Sequence, residues 1–269
     1  MRFYEQQALM FPRNGVHVQW RVEPEDDDLE AIEIELVRSE SPAGPFTVLQ
    51  VFDPLSTFGF TDRTAPWRPK GMELCYKLVA RLRSTGEEVD CSSPFGFQGP
   101  LPLDAIEIIR QHNILLYGVN GHDPLTGIRA TLYKKRNFGP RCQACTDQAT
   151  GRVIISQCRA CAGTGFRNGG YYAPMIMNMT FQPNPNQVQI TNLGKIEDND
   201  TVAFMTNFPV MTPGDLVIEP NESHWRVIQI DVTERKRNIV HQLLKLRQLD
   251  HNDIEYEVFR HLDNNEVSG

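Results

Sequence analysis

The chain has 269 residues, of which 40% are hydrophobic and 23% charged, and it carries a net charge of −7. That length accommodates two domains of ordinary size with real cores, and contents of 19 Gly and 18 Pro exclude a collagen-like or wholly disordered chain. No apolar run approaches the roughly 18–20 residues of a membrane helix, and Met1 to Gly15 lacks the basic-then-apolar build of a signal peptide. The expectation is a protein of the cytoplasm, or one assembled there.

The first hundred residues alternate with period two. Val16, Val18, Trp20 and Val22 point one way and His17, Gln19 and Arg21 the other; Ile32, Ile34 and Leu36 alternate with Glu33 and Glu35; Leu74, Tyr76, Leu78, Ala80 and Leu82 alternate with Lys77 and Arg81. This is the pattern of half-buried antiparallel strands, and turn signals at 41–45, 64–66, 68–71 and 84–86 separate them, which describes a β-sandwich of about a hundred residues. Trp20, the run Val37 to Leu49, Phe60-Thr-Asp62, and Leu74 to Ala80 leading into Ser84-Thr-Gly86 resemble a fibronectin type III domain over residues 8–97. The resemblance implies that Trp20 and Tyr76 are core residues and that the domain serves as a spacer or contact surface. Cys75 shares a strand face with Lys77 and is expected to point away from the core, with Cys91 closer to Ala80 than to Cys75.

Gly96 to Pro102 reads as a linker, and Asp104-Ala-Ile-Glu107 as an N-cap with Glu at the third helical position, opening a helix of about three turns that ends before Gly118. A loop at Gly121–Gly127 leads to a strand at Ile128–Arg136. Beyond residue 174, Met175, Met177, Met179 and Phe181 alternate with Ile176, Asn178, Thr180 and Gln182, a stripe read as core. Further short strands are expected at Val188–Thr191, Thr201–Met205, Asp215–Glu219, His224–Val232, Ile239–Leu249 and Ile254–Phe259. Short strands without a long helix point to a small barrel or sandwich, followed by a polar, frayed tail.

Charge is uneven along the chain. Between Arg129 and Arg167, eight basic residues face Asp147 alone, a local +7 that leaves −14 on the rest, while Glu23 to Glu35 holds eight acidic residues and no basic one. A basic island in an acidic molecule suggests an oriented contact with something acidic; the bland alternative is a solvated surface.

The island contains the most specific motif. Cys142-x-x-Cys145 and Cys158-x-x-Cys161 supply four soft thiolates from two turns, the pattern of a tetrahedral Zn²⁺ site. Four protein ligands close the coordination shell, so the metal would be structural; redox dithiols, a catalytic zinc and an iron centre are the alternatives, and a disulfide scaffold is a weaker reading without signs of secretion. The second turn, Cys158 to Gly165, carries glycines that help a knuckle curl, and the first does not. It is similar to one repeat of DnaJ-type chaperones, but that repeat occurs once and no J-domain signature accompanies it. Zinc ribbons often bind nucleic acid, yet the only aromatics available for base stacking are Phe138, Phe166, Tyr171 and Tyr172. The chain contains no P-loop, no His-Glu-x-x-His, no Gly-x-Ser-x-Gly and no dinucleotide fingerprint; His224, beside Trp225 in a strand, reads as structural and His122, next to Asp123, has no nucleophile to serve, so no catalytic residue is assigned and an enzyme is not expected.

Ile108 to Pro174 resembles a recurrent segment of tailed-bacteriophage structural proteins: a short helix, the basic strand Leu132-Tyr-Lys-Lys-Arg136, then Gly139 to Gly151, Cys158 to Phe166 and Gly169-Gly-Tyr-Tyr-Ala-Pro174. Met211-Thr-Pro-Gly-Asp-Leu-Val-Ile218, His224-Trp-Arg-Val-Ile228 and Gln242-Leu-Leu-Lys-Leu246 resemble the β-barrels of phage neck proteins, although the appended amino-terminal sandwich departs from them. The resemblance implies a virion structural protein, a head-to-tail connector that assembles as a homo-oligomeric ring between portal and tail. Its implied partners are the portal and other neck and tail proteins, with DNA in the channel as a further candidate and no membrane. Lys134, Lys135, Arg136, Arg141 and Arg159 would grip the acidic partner. The alternatives are a nucleic-acid-binding zinc-ribbon protein and a tail or baseplate component. The expected chain is mainly β: a sandwich over 1–98, a linker and short helix over 99–127, a basic zinc-ribbon segment over 128–174, a barrel over 175–260 and a flexible tail over 261–269.

Overall fold

Val16, Val18, Trp20 and Val22, four alternate positions of one strand, are all buried, so the period of the sequence is the period of the structure. The computed structural model describes residues 1–11, 15–23, 29–65, 74–96, 102–119, 124–147, 150, 152–182, 188–191, 194–197, 200–236 and 238–256. The chain divides into two compact units. The first holds Met1–Leu115 with Thr206–Val210 and Val232–Gln242; the second holds Leu116–Met205, Met211–Asp231 and Leu243–Gly269.

The first unit contains β1 (Arg2–Phe11), β2 (Gly15–Glu23), β3 (Ile32–Ser39), β4 (Thr47–Phe52), β5 (Gly59–Asp62), β6 (Cys75–Leu82) and β7 (Glu88–Cys91). They form a three-stranded sheet in the order β1-β2-β5 and a four-stranded sheet in the order β4-β3-β6-β7. Side chains from the two sheets meet: Trp20 of β2 lies 5.4 Å from Phe52 of β4, which in turn lies 5.4 Å from Phe60 of β5. Val210 donates its backbone N–H to Gln19, and Phe208 stacks on His17 at 4.2 Å. Burial, with the charge of Arg63 adding to it, lowers the His17 pKa to about 3, so the ring is neutral and hydrogen-bonds Thr61. His17 is thus buried although the alternation places it outward. Cys75, also expected outside, is buried, while exposed Cys91 pairs with Val79, next to Ala80 and four residues from Cys75 along β6.

A buried carboxylate ties the first unit together. Asp62, at the end of β5, accepts hydrogen bonds from Arg38 Nη1 (2.6 Å), the Tyr76 hydroxyl (3.0 Å), and the backbone N–H (3.0 Å) and hydroxyl (2.7 Å) of Thr64. Tyr76 therefore fills the core and spends its polar tip on a partner, as buried tyrosines must.

The helix α1 (Leu103–Tyr117) starts two residues earlier than an N-cap at Asp104 implies and is about one turn longer, and Asp104 sits in its first turn rather than capping it. An acidic side chain there still favours the positive helix end. Ala105 and Ile109 pack against Val240. Among the described residues no helix is long and apolar enough to cross a membrane.

The strands that follow the helix in the chain build a closed barrel. In chain order its strands begin with β8 (Ile128–Tyr133) and β9 (Met175–Gln182), after which β10 (Val188–Thr191) and β11 (Gly194–Glu197) form a separate hairpin. Then come β12 (Asp200–Met205), β13 (Leu216–Ile218), β14 (His224–Arg235) and β15 (Asn238–Gln248), and the barrel closes in the order β12-β15-β14-β13-β8-β9. The methionine stripe is core: Met177, Met179, Met205 and Met211 are buried with Leu132, Val217, Val227, Leu244 and Leu246. Closure removes the open sheet edges that an exposed strand would present.

Two further expectations differ from the structure. Ile128–Tyr133 belongs to the barrel rather than to the ribbon segment, because it pairs with β9 and β13. Residues 254–256 form a turn, closed by Tyr256 N–H to Asp253 C=O, instead of opening a strand; 257–259 lie outside the described residues. So do most of the Gly96–Pro102 linker, His122 and the tail.

In Asp62, burial pushes the carboxyl up, but the hydrogen bonds from Thr64, Arg38 and Tyr76 and the Arg38 charge outweigh it and hold the group below the usual carboxylate range. A folded pKa below the unfolded value of about 3.9 contributes stability that is present above that pH and lost as pH falls through the folded pKa. Asp62→Asn should therefore destabilise the first unit by about 3 kcal/mol at neutral pH, because Arg38 is left without its counter-charge. Chemical denaturation from pH 7 down to acid should show this loss shrinking.

Candidate metal centre

The long connection from β8 to β9, residues 134–174, carries the four clustered cysteines. Its two ends run antiparallel where they leave the barrel: Tyr172 N–H donates to Lys134 C=O (2.9 Å) and Arg136 N–H to Gly170 C=O (2.8 Å). Further out, Cys142 N–H donates to Gly165 C=O (2.9 Å) and Arg167 N–H to Pro140 C=O (2.8 Å), which lays the first knuckle beside the second. Thr146 N–H closes the first turn on Cys142 C=O (3.1 Å), and Gly163 N–H closes the second on Cys158 C=O (3.0 Å).

This folding brings the four cysteines together. Their sulfurs lie within 4.8 Å of one another, and all four residues are buried. Each close pair takes one sulfur from each knuckle, Cys145 to Cys161 at 3.4 Å and Cys142 to Cys158 at 3.9 Å. A tetrahedral ion with metal–sulfur bonds of about 2.3 Å holds its sulfurs about 3.8 Å apart, so the donor set fits such an ion. No disulfide links any of the six cysteines.

Glycine is required at two places in the second knuckle. Gly163 has φ +70°, and a Cβ there would lie 2.7 Å from Ser156 C=O; Gly165 has φ +80°, and a Cβ would lie 2.5 Å from Val153 Cγ2. Gly165 also donates its N–H to Cys161 Sγ at 3.3 Å, the kind of bond that stabilises a thiolate. The first knuckle, without such glycines, is held by pairing instead: Thr146 bridges Val153, and Ile154 N–H donates to Cys145 C=O (2.7 Å).

Without a metal, Cys145, Cys158 and Cys161 do not ionise alike. Burial and the neighbouring thiols of Cys161 and Cys142 push Cys145 up to about 12. Burial also raises Cys161, against the Gly165 N–H. Burial opposes ionisation of Cys158 as well, but hydrogen bonds from Cys161, Cys145 and the Ala160 N–H hold it below the ordinary thiol value. Cys158 is therefore the readier to ionise while Cys145 and Cys161 resist, and a cation bound among the sulfurs would favour their thiolate forms.

The expected contact cations divide. Lys134 is buried and pairs with fully buried Asp215 (3.0 Å), whose carboxylate also accepts from Lys135 N–H (2.8 Å) and Thr212 N–H (2.7 Å). Arg136 is buried too and donates to Arg167 C=O (3.0 Å). Lys134 holds the base of the connection to the barrel and Arg136 joins its two arms, so both are corrected from contact residues to internal ones. Lys135, Arg141 and Arg159 are exposed, as are Arg152 and Arg167, and Arg141 stacks over the Phe166 ring at 4.6 Å. Phe138, Phe166, Tyr171 and Tyr172 are all buried, which withdraws them from base stacking.

Sequence reasoning missed the loop between the knuckles. Val153, Ile154 and Ile155 are 41%, 72% and 51% exposed, although three consecutive β-branched residues read as a buried strand. The loop lies outside the four-cysteine cluster that is buried between the knuckles it connects. No protein-family model matches the chain, and no curated protein is similar to it.

The arrangement can hold one metal ion per chain, which strong chelators and acid should release, since protons compete for thiolates. Elemental analysis of purified protein and of the Cys161→Ser variant should show one equivalent and a large deficit, respectively. Gly163→Ala should destabilise the second unit by more than about 1 kcal/mol, measured by thermal melting with metal in excess, because its backbone cannot take φ +70° without strain.

Proposed function

We propose that this chain is a virion structural protein of a tailed phage, a neck or head-to-tail connector that assembles as a ring and uses zinc as a structural ion. The observation that carries the reading is the closed six-stranded barrel whose β8–β9 connection is drawn out into a four-cysteine ribbon, joined to the sequence likeness of residues 108–174 and of the barrel strands to phage neck proteins. Four thiolates favour Zn²⁺ over harder cations and leave no open position for water or substrate, which supports a structural rather than catalytic role. The amino-terminal unit fits a fibronectin type III-like sandwich: seven strands, a three-plus-four division, Trp20 and Tyr76 in the core. Such a module suits an outward-facing contact surface.

The nucleic-acid reading rests on the exposed Lys135, Arg141 and Arg159 and is the weaker one, since Lys134, Arg136 and the four aromatic residues are internal. A tail or baseplate position is the other alternative within the particle.

Labelling the protein and imaging assembled particles tests the proposal. Density for the label at the junction of head and tail is the expected result; absence of the protein from purified particles overturns it. Particles produced with Cys161→Ser should lack the protein or be unstable at that junction.

A further inference from the structure

Building on the assembly reading above, we infer that the tip of the ribbon is a docking knob whose partner is the acidic amino-terminal unit of a second copy of this chain.

Val153, Ile154 and Ile155 form an exposed aliphatic run between the knuckles, and exposed Arg152 and Arg159 flank it in the chain. Contiguous exposed apolar residues with a polar rim are the composition of an interaction site rather than of a solvated loop. Arginine supplies the rim, so the complementary surface has aliphatic side chains beside carboxylates.

The chain itself offers such a surface. Residues 1–115 hold 18 acidic and 11 basic side chains, a net −7, whereas residues 116–269 hold 16 of each. On the four-stranded sheet, Val51 of β4 lies opposite Glu35 of β3, and Val48 opposite Val37, so these side chains share the face that turns away from Ile34 and Leu36. Val48 and Val51 are 51% and 40% exposed, and β4 is an edge strand with no charged residue over Thr47–Phe52. Glu33 and Glu88 both face Arg81 across neighbouring strands; Arg81 pairs with Glu35 (2.8 Å) and Glu88 (3.8 Å) and Lys77 lies opposite Val37, so three carboxylates stand against two cations on this face. Aliphatic meets aliphatic, and arginine meets carboxylate.

The knob and its receptor lie on different units and are different surfaces, so the contact is heterologous, the type that closes rings. Duplex DNA answers the charge but leaves Ile154 and Ile155 without an apolar partner.

The test uses full-length metal-loaded protein in sedimentation velocity over a concentration series. Wild type should associate, and raising salt from about 50 to about 500 mM should weaken the association by screening. Ile154→Asp, which blocks the knob, and Val51→Asp, which blocks the receptor, should each lower the association constant at least about tenfold. Mixed together, the two blocked variants should form one-to-one dimers and nothing larger, because one intact knob and one intact receptor remain. Arg152→Glu with Arg159→Glu provides a second, charge-only block, and retention of one metal per chain and of the wild-type melting temperature shows that each variant folds. Wild-type association that survives Ile154→Asp unchanged overturns the docking contact and leaves the ring reading standing. A mixture that fails to dimerise overturns it as well. So does a wild type that stays monomeric at every concentration, whether or not it binds a 20-base-pair duplex used as probe; the ring reading is then decided separately by the particle imaging.

Discussion

Besides Ala162 and four aromatic rings, the described part of the ribbon buries its cysteines rather than branched aliphatic side chains. The buried cluster at its centre consists of Cys142, Cys145, Cys158 and Cys161, and the branched side chains between the knuckles lie outside. A short segment buries little apolar area to offset the entropy of ordering it, so a metal ion held by these four thiolates would be the interaction that contributes most to its shape. Everything placed by the ribbon inherits that dependence: the curl imposed by Gly163 and Gly165, the stacking of Arg141 on Phe166, and the outward position of Ile154.

The barrel supplies what the ribbon lacks. Tyr133, Ala162, Tyr171, Leu216 and Leu249 pack together where the connection leaves the strands, so the root of the ribbon is fixed by ordinary apolar burial. Lys134 and Asp215 add a buried pair there. Such a pair costs much in desolvation and contributes little net stability, but its four hydrogen bonds fix one orientation of the strand end against the Thr212–Asp215 turn. Asp200, paired with Lys245 and Arg247, does the same at the start of β12, where its carboxylate is held below the usual range by hydrogen bonds from Arg247 and Lys245.

Local features are legible in the sequence to the extent that they depend on neighbours along the chain. The Cys-x-x-Cys spacing predicts a four-sulfur cluster because each knuckle is a local turn, and the alternation of Val16 to Val22 and of Met177 and Met179 predicts buried strand faces because the pleat has period two. Features set by distant partners are not legible. Lys134 looks like a surface cation until Asp215, far along the chain, turns out to lie beside it. Alternation places Cys75 outside with Lys77, yet it is buried at the end of β6. Ile254 to Phe259 has strand composition, but residues 254–256 form a turn in which Tyr256 lies 4.4 Å from the ring of His224.

The same division explains how composition bears on the proposed assembly. The basic island counted along the chain is +7, but two of its cations are consumed inside the fold, so the outward charge is carried mainly by arginines near the ribbon tip. Arginine at an exposed site beside aliphatic side chains is suited to protein surfaces, because its planar head pairs with carboxylates while its stem packs on apolar groups. On the proposed reading, then, the metal does more than hold four sulfurs: by occupying the interior of the ribbon it keeps Ile154 and Ile155 outside, which couples metal loading to the surface that a neighbour would recognise. Metal removal and knob substitution should therefore produce the same assembly defect, although only the first disturbs the fold.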